Sequence, residues 1–368
     1  MDYYKTLNLK KVINASGKMS ILGVSTVSEK VLEAQSFGAQ HFFEMSDLVE
    51  KSGFYLANLL GAENATVVAS ASAGIAQSVA ALIGEGSIKH LMNPYDATIT
   101  KKNIIMPKGH NVNFGSSVEL MVQVGGGVVV EAGYANECTS EQVEMLIDQD
   151  TAALLYIKSH HSVQKSMLSI DDMLDIARRH NLPMILDAAA EEDLSVYTNK
   201  GIDLVIYSGA KAIEGPSSGL VVGKKTPIQW VQLQSKGLGR TMKIGKENIL
   251  GLVSAIEQFI QYGSETGTSM LARLQPFVDQ LNTIQNITAS VSQDSAGREI
   301  YRASILINGK DAFDVIRLLK EGDSAVYTRE YQANNQILEF DIRAVDEAGM
   351  KLITDKLSLI MEEENNEL

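Results

Sequence analysis

Seven short apolar runs punctuate the chain at residues 66–69, 103–106, 127–131, 153–157, 183–186, 204–207 and 219–222. Several are rich in Val and Ile without polar alternation, as strands covered on both faces should be. Between them, 73–82, 140–147 and 170–180 space their apolar residues as helices do. The last has Asp171 and Asp172 near its start and Arg178, Arg179 and His180 near its end, the order a helix dipole favours. Strand alternating with helix predicts an α/β layer on a mostly parallel seven-stranded sheet flanked by helices.

A helix over 245–262 is expected to leave this layer. Beyond about residue 270 the order changes. Strands are expected at 284–292, 303–307, 325–330 and 337–342, and helices at 311–320 and 346–362. That is a smaller α+β C-terminal domain. The 368 residues exceed what one core usually serves. The expected division is 1–40 as an N-terminal segment packing on the small domain, 41–262 as the large domain and 263–368 as the small one.

Two residues at predicted strand ends suggest chemistry. Asp187 closes the run in "MILDAAAEED", and Lys211 follows the next run in "DLVIYSGAKAIEGPSSGLVVG". Ligands of open α/β sheets bind outside the carboxyl ends of the strands. Taken singly, Lys211 reads first as an exposed loop lysine, and Asp187 reads equally as a turn or cap residue. Taken together they suit pyridoxal 5'-phosphate (PLP). That cofactor needs a lysine to hold its aldehyde and an acid to keep its pyridine nitrogen protonated. Its phosphate needs a cradle. Ser72, Ala73 and Gly74 open a predicted helix, whose free N–H groups attract anions, and the Ser208 hydroxyl is near in sequence to Lys211. An Ala/Ser-rich packing helix explains the same residues. His110 follows one strand and could stack on a flat ring; His160 and His161 follow another. Each reads equally as a solvated loop histidine, and the His pair lacks the further ligands a metal needs.

Composition narrows the partners. The net charge of −13 argues against a broad nucleic-acid surface, though not against a small anionic substrate. No apolar run is long enough to cross a membrane, and the start has no secretory apolar core. Cys138 is the one cysteine, which fits a reducing, cytoplasmic setting.

The stretches "IYSGAKAIEGPSSGLVVGKK", "ILDAAAEED" and "GLGRTMKIGKENILGLVSAIEQF", with "KKVINASGKMSILGVSTVS" near the start, resemble the selenocysteine-synthase-like group of fold-type I PLP enzymes. The resemblance spans almost the whole chain. It implies a fold-type I architecture and a symmetric homodimer or larger homo-oligomer. It makes Lys211 the Schiff-base lysine and Asp187 the pyridinium partner. It puts Ser72, Ala73, Gly74 and Ser208 at the phosphate, and His110 and His160 about the cofactor. Arg343 falls at the substrate carboxylate. Arg240 and Lys243, clustered with Lys246, would meet a substrate phosphate or a neighbouring subunit's cofactor, and read equally as an ordinary surface cluster. Ala210 stands where the group usually shows a second glycine.

Three features turn the expectation from tRNA-dependent transfer toward the ammonia-lyase branch, whose substrate is a 2-amino sugar acid phosphate such as D-glucosaminate 6-phosphate. The INASG motif begins at Ile13, the charge is acidic, and Glu137 stands where the transferase pattern is basic. The alternatives are selenium or sulfur transfer, another PLP-dependent lyase or aldolase reaction, transamination, or PLP binding without turnover.

Overall fold

The computed structural model describes residues 1–159, 161–294 and 299–362. Its strands are β1 (Lys11–Asn14), β2 (Asn64–Val68), β3 (Asn103–Pro107), β4 (Val128–Ala132), β5 (Thr151–Ile157), β6 (Met184–Asp187), β7 (Leu204–Ser208), β8 (Gly219–Gly223), β9 (Ile287–Gln293), β10 (Tyr301–Ile307), β11 (Ser324–Tyr327) and β12 (Ile337–Phe340). They fall in two compact units. One is Val27–Gly263; the other joins Met1–Thr26 to Ser264–Leu368.

The first unit is built on a seven-stranded sheet in the order β2-β8-β7-β6-β5-β3-β4. Strands β3 to β7 run parallel, and β8 is antiparallel to both β7 and β2. The reason is connection length. A helix such as Ile170–Arg179 fills the link from β5 to β6 and returns the chain for parallel pairing. Only the loop 209–218 joins β7 to β8, too short for a crossover, so β8 comes straight back. All residues of β5 and β6 are buried, as their apolar runs require.

Alternate side chains enter opposite layers. Tyr156, Leu186 and Tyr207 pack with Leu56 and Leu252 on one face. Ile157, Ile185 and Ile206 pack with Ile75 and Val79 of the helix Ala71–Gly84 on the other. The same period sends Asp187 and Ser208 to the face of that helix.

The second unit holds an antiparallel sheet in the order β12-β10-β9 and a parallel pair, β1 with β11. Helices Gly267–Leu281, Ala312–Leu319 and Glu347–Glu362 cover a core that includes Leu274, Phe277, Ile305, Phe340 and Ile353.

Two expectations change. The stretch 1–40 divides at Thr26, because the helix Glu29–Gln40 packs on the helix Lys246–Tyr262 within the first unit. Gly38 permits this approach: a Cβ there would lie 2.8 Å from the Glu247 Cα. Gln35 then donates to Asn248 at 2.9 Å. The helix expected over 140–147 stops at Glu144, where a capping box from Thr139 and Gln142 supports a single short turn region. The helices Met45–Leu60, Lys225–Leu233 and Gly267–Leu281 were not anticipated; the last carries Pro276 inside it, a residue that reads as a breaker.

Helix Met45–Leu60 lies so close to β2 that a Cβ on Gly53 would sit 2.1 Å from the Ala65 carbonyl oxygen. Gly53→Ala should therefore lower the urea midpoint. Overpacking costs about 1–3 kcal/mol, more than the roughly 1 kcal/mol that alanine gains in helix propensity. An unchanged or higher midpoint would show that the helix can move away from the sheet.

Candidate active site

Asp187 ends β6 at the centre of the sheet, paired on its two sides with Ile157 and Ile206. Its side chain is 5% exposed and accepts the Ala189 N–H at 3.0 Å. Burial pushes its pKa up to about 6, against the opposing pull of the Lys211 charge and the Ala189 N–H. That pull places the lysine and the carboxylate in one neighbourhood.

The loop holding Lys211 is tightly closed. Gly209 N–H donates to Ser218 O at 2.9 Å, Gly215 N–H to Gly209 O at 2.7 Å and Glu214 N–H to Lys211 O at 3.2 Å. Gly209 has no alternative residue, since a Cβ there would be 2.1 Å from Ser218 Oγ. The Ser-Gly and Gly-Pro pairs visible in the sequence thus hold a half-buried lysine beyond the end of β7.

The helix Ala71–Gly84 brings its N-terminus to the same face. Ser70 caps it: its Oγ accepts the Ala73 N–H at 3.0 Å and its carbonyl accepts Gly74 N–H at 2.9 Å. The expected cradle therefore shifts. The Ala73 and Gly74 N–H groups are already engaged, and those of Ala71 and Ser72 are the ones left for an anion. Gly74 serves packing instead; a Cβ there would meet Ile206 Cγ2 at 3.0 Å and Val221 Cγ2 at 3.2 Å. Gly219, which opens β8, lets its strand pass within a Cβ distance of 2.8 Å from the Ala71 nitrogen. Ser208, half-buried at the end of β7, lies on this face.

His110 is a correction. Its ring is 0% exposed. Nε2 meets Val163 O at 3.0 Å, Nδ1 accepts the Ile157 N–H at 3.4 Å, and the ring lies edge-on to Tyr156 at 4.4 Å. Burial, with some opposition from the Val163 carbonyl and a further push from the Lys158 charge, brings its pKa down to about 4. A neutral ring enclosed by protein offers no face to a cofactor; it fastens the end of β5. His160 lies outside the described residues. His161 stays largely open to solvent; the partial desolvation of its ring, followed by the Lys211 charge, lowers its pKa, which sets it near that lysine.

The basic cluster also divides. Lys246 donates to the carbonyls of Gly38, Ala39 at 2.8 Å and His41 at 2.7 Å, so it caps the C-terminal end of the helix Glu29–Gln40. Arg240 and Lys243 remain exposed. Their turn sits against the helix Ala71–Gly84, for a Cβ on Gly239 would lie 2.7 Å from Gln77 Oε1. Arg343 belongs to the second unit, where it pairs with Asp341 at 2.7 Å.

Sequence reading missed Ser70 and Ala71. Ser70 and Ser72 are equally good caps by type, and only the backbone shows which one starts the helix. Cys138 is buried and its thiol is pushed up to about 11, so it is no nucleophile. Among the described residues no helix is long and apolar enough to cross a membrane.

The family described as L-seryl-tRNA selenium transferase matches residues 44–305. The chain is 45% identical over 365 residues to the D-glucosaminate-6-phosphate ammonia lyase of Salmonella typhimurium (strain 14028s / SGSC 2262), covering 98% of both. It is 31% identical over 368 residues to a 5'-C-glycyluridine monooxygenase-decarboxylase of Streptomyces sp, covering 97% of this chain and 92% of that one. A solved structure of D-glucosaminate-6-phosphate ammonia-lyase superposes with a TM-score of 0.93 at 43% identity, covering 98% of each chain.

The buried acid makes a pH prediction. Unfolded, Asp187 titrates near pH 4; folded, near 6. The native state binds more protons between these values, so stability falls as pH rises through that window. In cofactor-free protein, the stability of Asp187→Asn relative to wild type should rise across the window and then level. The gain should be on the order of 1–3 kcal/mol by urea unfolding. A difference that stays flat with pH would refute the shifted carboxyl.

Proposed function

The chain belongs to the L-seryl-tRNA selenium transferase family, and on that premise we propose that it is a PLP-dependent carbon–nitrogen lyase. It eliminates water and ammonia from D-glucosaminate 6-phosphate and gives 2-keto-3-deoxygluconate 6-phosphate. The observation that carries this reading is the 45% identity to a D-glucosaminate-6-phosphate ammonia lyase across 98% of both chains. The lower identity to the monooxygenase-decarboxylase ranks that chemistry second.

The residues present fit the cofactor. A carboxylate buried at the end of β6 and destabilised there calls for a cationic partner, which a protonated pyridine nitrogen supplies. The Ala71 and Ser72 N–H groups with the Ser208 hydroxyl suit its phosphate. When bound, PLP supplies an electron sink for the carbon that bears the substrate amine.

The chain's own groups do the rest. Lys211 would hold the cofactor through Nζ and would serve as the base for the proton on that carbon. Asp187 keeps its negative charge against the ring nitrogen. Arg240 and Lys243 take the sugar phosphate or a neighbouring subunit's cofactor. Proton transfer of this kind is worth about 10²–10⁴-fold.

The working form is a symmetric homo-oligomer in the cytoplasm. Its mating surface is the apolar face of the helices Glu29–Gln40 and Met45–Leu60 and their link, where Leu32, Phe37, Phe54 and Leu59 are exposed and Phe42 is wholly so. A cluster of this kind is uncommon on a monomer. Phe54→Glu should lower the mass seen by light scattering, and an unaltered mass would place the contact elsewhere.

The reaction is tested by following keto-acid and ammonia release from D-glucosaminate 6-phosphate with purified protein. Lys211→Ala should lose turnover by at least 10³-fold, on the order expected when base and anchor are both removed, together with the cofactor's absorbance near the visible edge. Absorbance retained in that variant without added amine would reject Lys211 as the anchor.

A further inference from the structure

The stretch "GLGRTMKIGKENILGLVSAIEQF" carries Arg240 and Lys243, but most of it lies in the helix Lys246–Tyr262, to which the proposed chemistry gives no task. Asn248, Gly251, Leu252 and Ala255 fall on one stripe of that helix, at the spacing of successive turns. Each of them meets the loop 209–218 that carries Lys211. A Cβ on Gly209 would lie 2.8 Å from Leu252 Cδ1, one on Gly215 3.1 Å from Ala255 Cβ, and one on Gly251 3.0 Å from Pro216 Cγ. Asn248 adds a polar contact, its Nδ2 donating to Ser217 O at 3.3 Å.

The other end of the same amide is held from a third segment. Asn248 Oδ1 accepts Gln35 Nε2 at 2.9 Å. Gln35 belongs to the helix Glu29–Gln40, which Gly38 brings close. A Cβ on Gly251 would also lie 2.7 Å from Gln35 Cγ, so the bare backbone at 251 admits Gln35 and Pro216 together. With its oxygen engaged on one side and its nitrogen on the other, the Asn248 amide has its plane set.

We propose that Asn248 is a positioning residue for Lys211: by bridging Gln35 and the Ser217 carbonyl it fixes the angle at which the lysine loop stands. The inference rests on the reading of Lys211 given above. The bonds from Gly209 N–H to Ser218 O, from Gly215 N–H to Gly209 O and from Glu214 N–H to Lys211 O close the loop on itself and set its shape. They leave it hinged on the ends of β7 and β8. The apolar contacts along the helix stripe resist tilting but have no direction of their own. The hydrogen bond to Ser217 O has one.

A base must meet its proton at close range and in line, and a misplacement of about 1 Å can cost 10²-fold in rate. The Gln35 bond by itself would tie the two helices together. The Asn248 Nδ2 is turned to the loop instead, which is the arrangement expected of a part that holds Lys211 in place.

The test uses the full chain as wild type, Asn248→Ala, Asn248→Asp, Gln35→Ala and Lys211→Ala. Asn248→Asp keeps the acceptor for Gln35 and loses the donor to Ser217 O. Amide hydrogen exchange over 209–218 is measured in cofactor-free protein. Capture of added PLP is followed by its absorbance near the visible edge, and kcat and KM are measured with D-glucosaminate 6-phosphate. Both Asn248 variants should speed exchange and slow capture about 3–10-fold, and Gln35→Ala should do less. In the same two variants kcat should fall by a similar factor with KM little changed. Wild-type behaviour of Asn248→Asp beside losses in Gln35→Ala would show a tie between two helices and overturn the proposal. So would unchanged capture and kcat in both Asn248 variants. Should Asn248→Ala fail to fold, Asn248→Asp, which retains the Gln35 bond, carries the test. Absorbance kept by Lys211→Ala would remove the reading of Lys211 and this inference together. Wild type without turnover would remove the proposed reaction alone, and exchange and capture would still decide the role of Asn248.

Discussion

A carboxylate at the end of a central strand, with protein on nearly every side, is unfavourable unless something cationic meets it. Asp187 occupies that position, and the surrounding architecture follows from accommodating it. The parallel strands β5, β6 and β7 must be apolar on both faces to bury it. Their carboxyl ends must then open on one side, where Lys211 and the start of the helix Ala71–Gly84 converge. The apoprotein carries the strain as a raised pKa, and a protonated pyridine nitrogen is the group that would relieve it.

Close approach of backbone to backbone is the second condition. Gly74 lets the helix lie on Ile206 and Val221, Gly219 lets β8 start beside Ala71, and Gly209 folds the lysine loop onto Ser218. These glycines set the spacing between the helix N-terminus, the end of β7 and the loop that follows it. A methyl group at any of them would shift the positions that the cofactor has to span. The small residues at the start of this helix are thus divided: Gly74 sets the packing on the sheet, and the Ala73 and Gly74 N–H groups are taken up by Ser70.

The second unit repeats the logic with opposite polarity. There the acid, Asp341, is wholly enclosed and its arginine is partly exposed. In the first unit burial keeps the acid above the usual carboxylate range in spite of the Lys211 charge; in the second the bonds and charge from Arg343 hold it below that range. Both devices stand at a strand end, β6 in one unit and β12 in the other, where the ladder stops and side chains can point along the strand axis.

The seven strands of the large sheet, its parallel core and the nearness of Lys211 to Asp187 were legible in the residues, because each is written locally: apolar runs of strand length, turn residues at their ends, and two polar groups in otherwise apolar or Gly-rich surroundings. What stayed hidden depends on neighbours distant in sequence. His110 looked like a ring-covering residue until Val163 and Ile157 were seen to enclose it. Lys246 looked like part of a charged cluster until the end of the helix Glu29–Gln40 was found beneath it. Ser70 and Ser72 differ in role only by where the helix begins. Asp341 sits two residues before Arg343, yet its burial is created by strand pairing and by a turn more than three hundred residues away. Sequence by itself determined which groups can do the chemistry, since ionisation and hydrogen-bonding capacity belong to residue type. Tertiary structure decided which of them are placed to do it, since burial and direction arise only when distant segments meet.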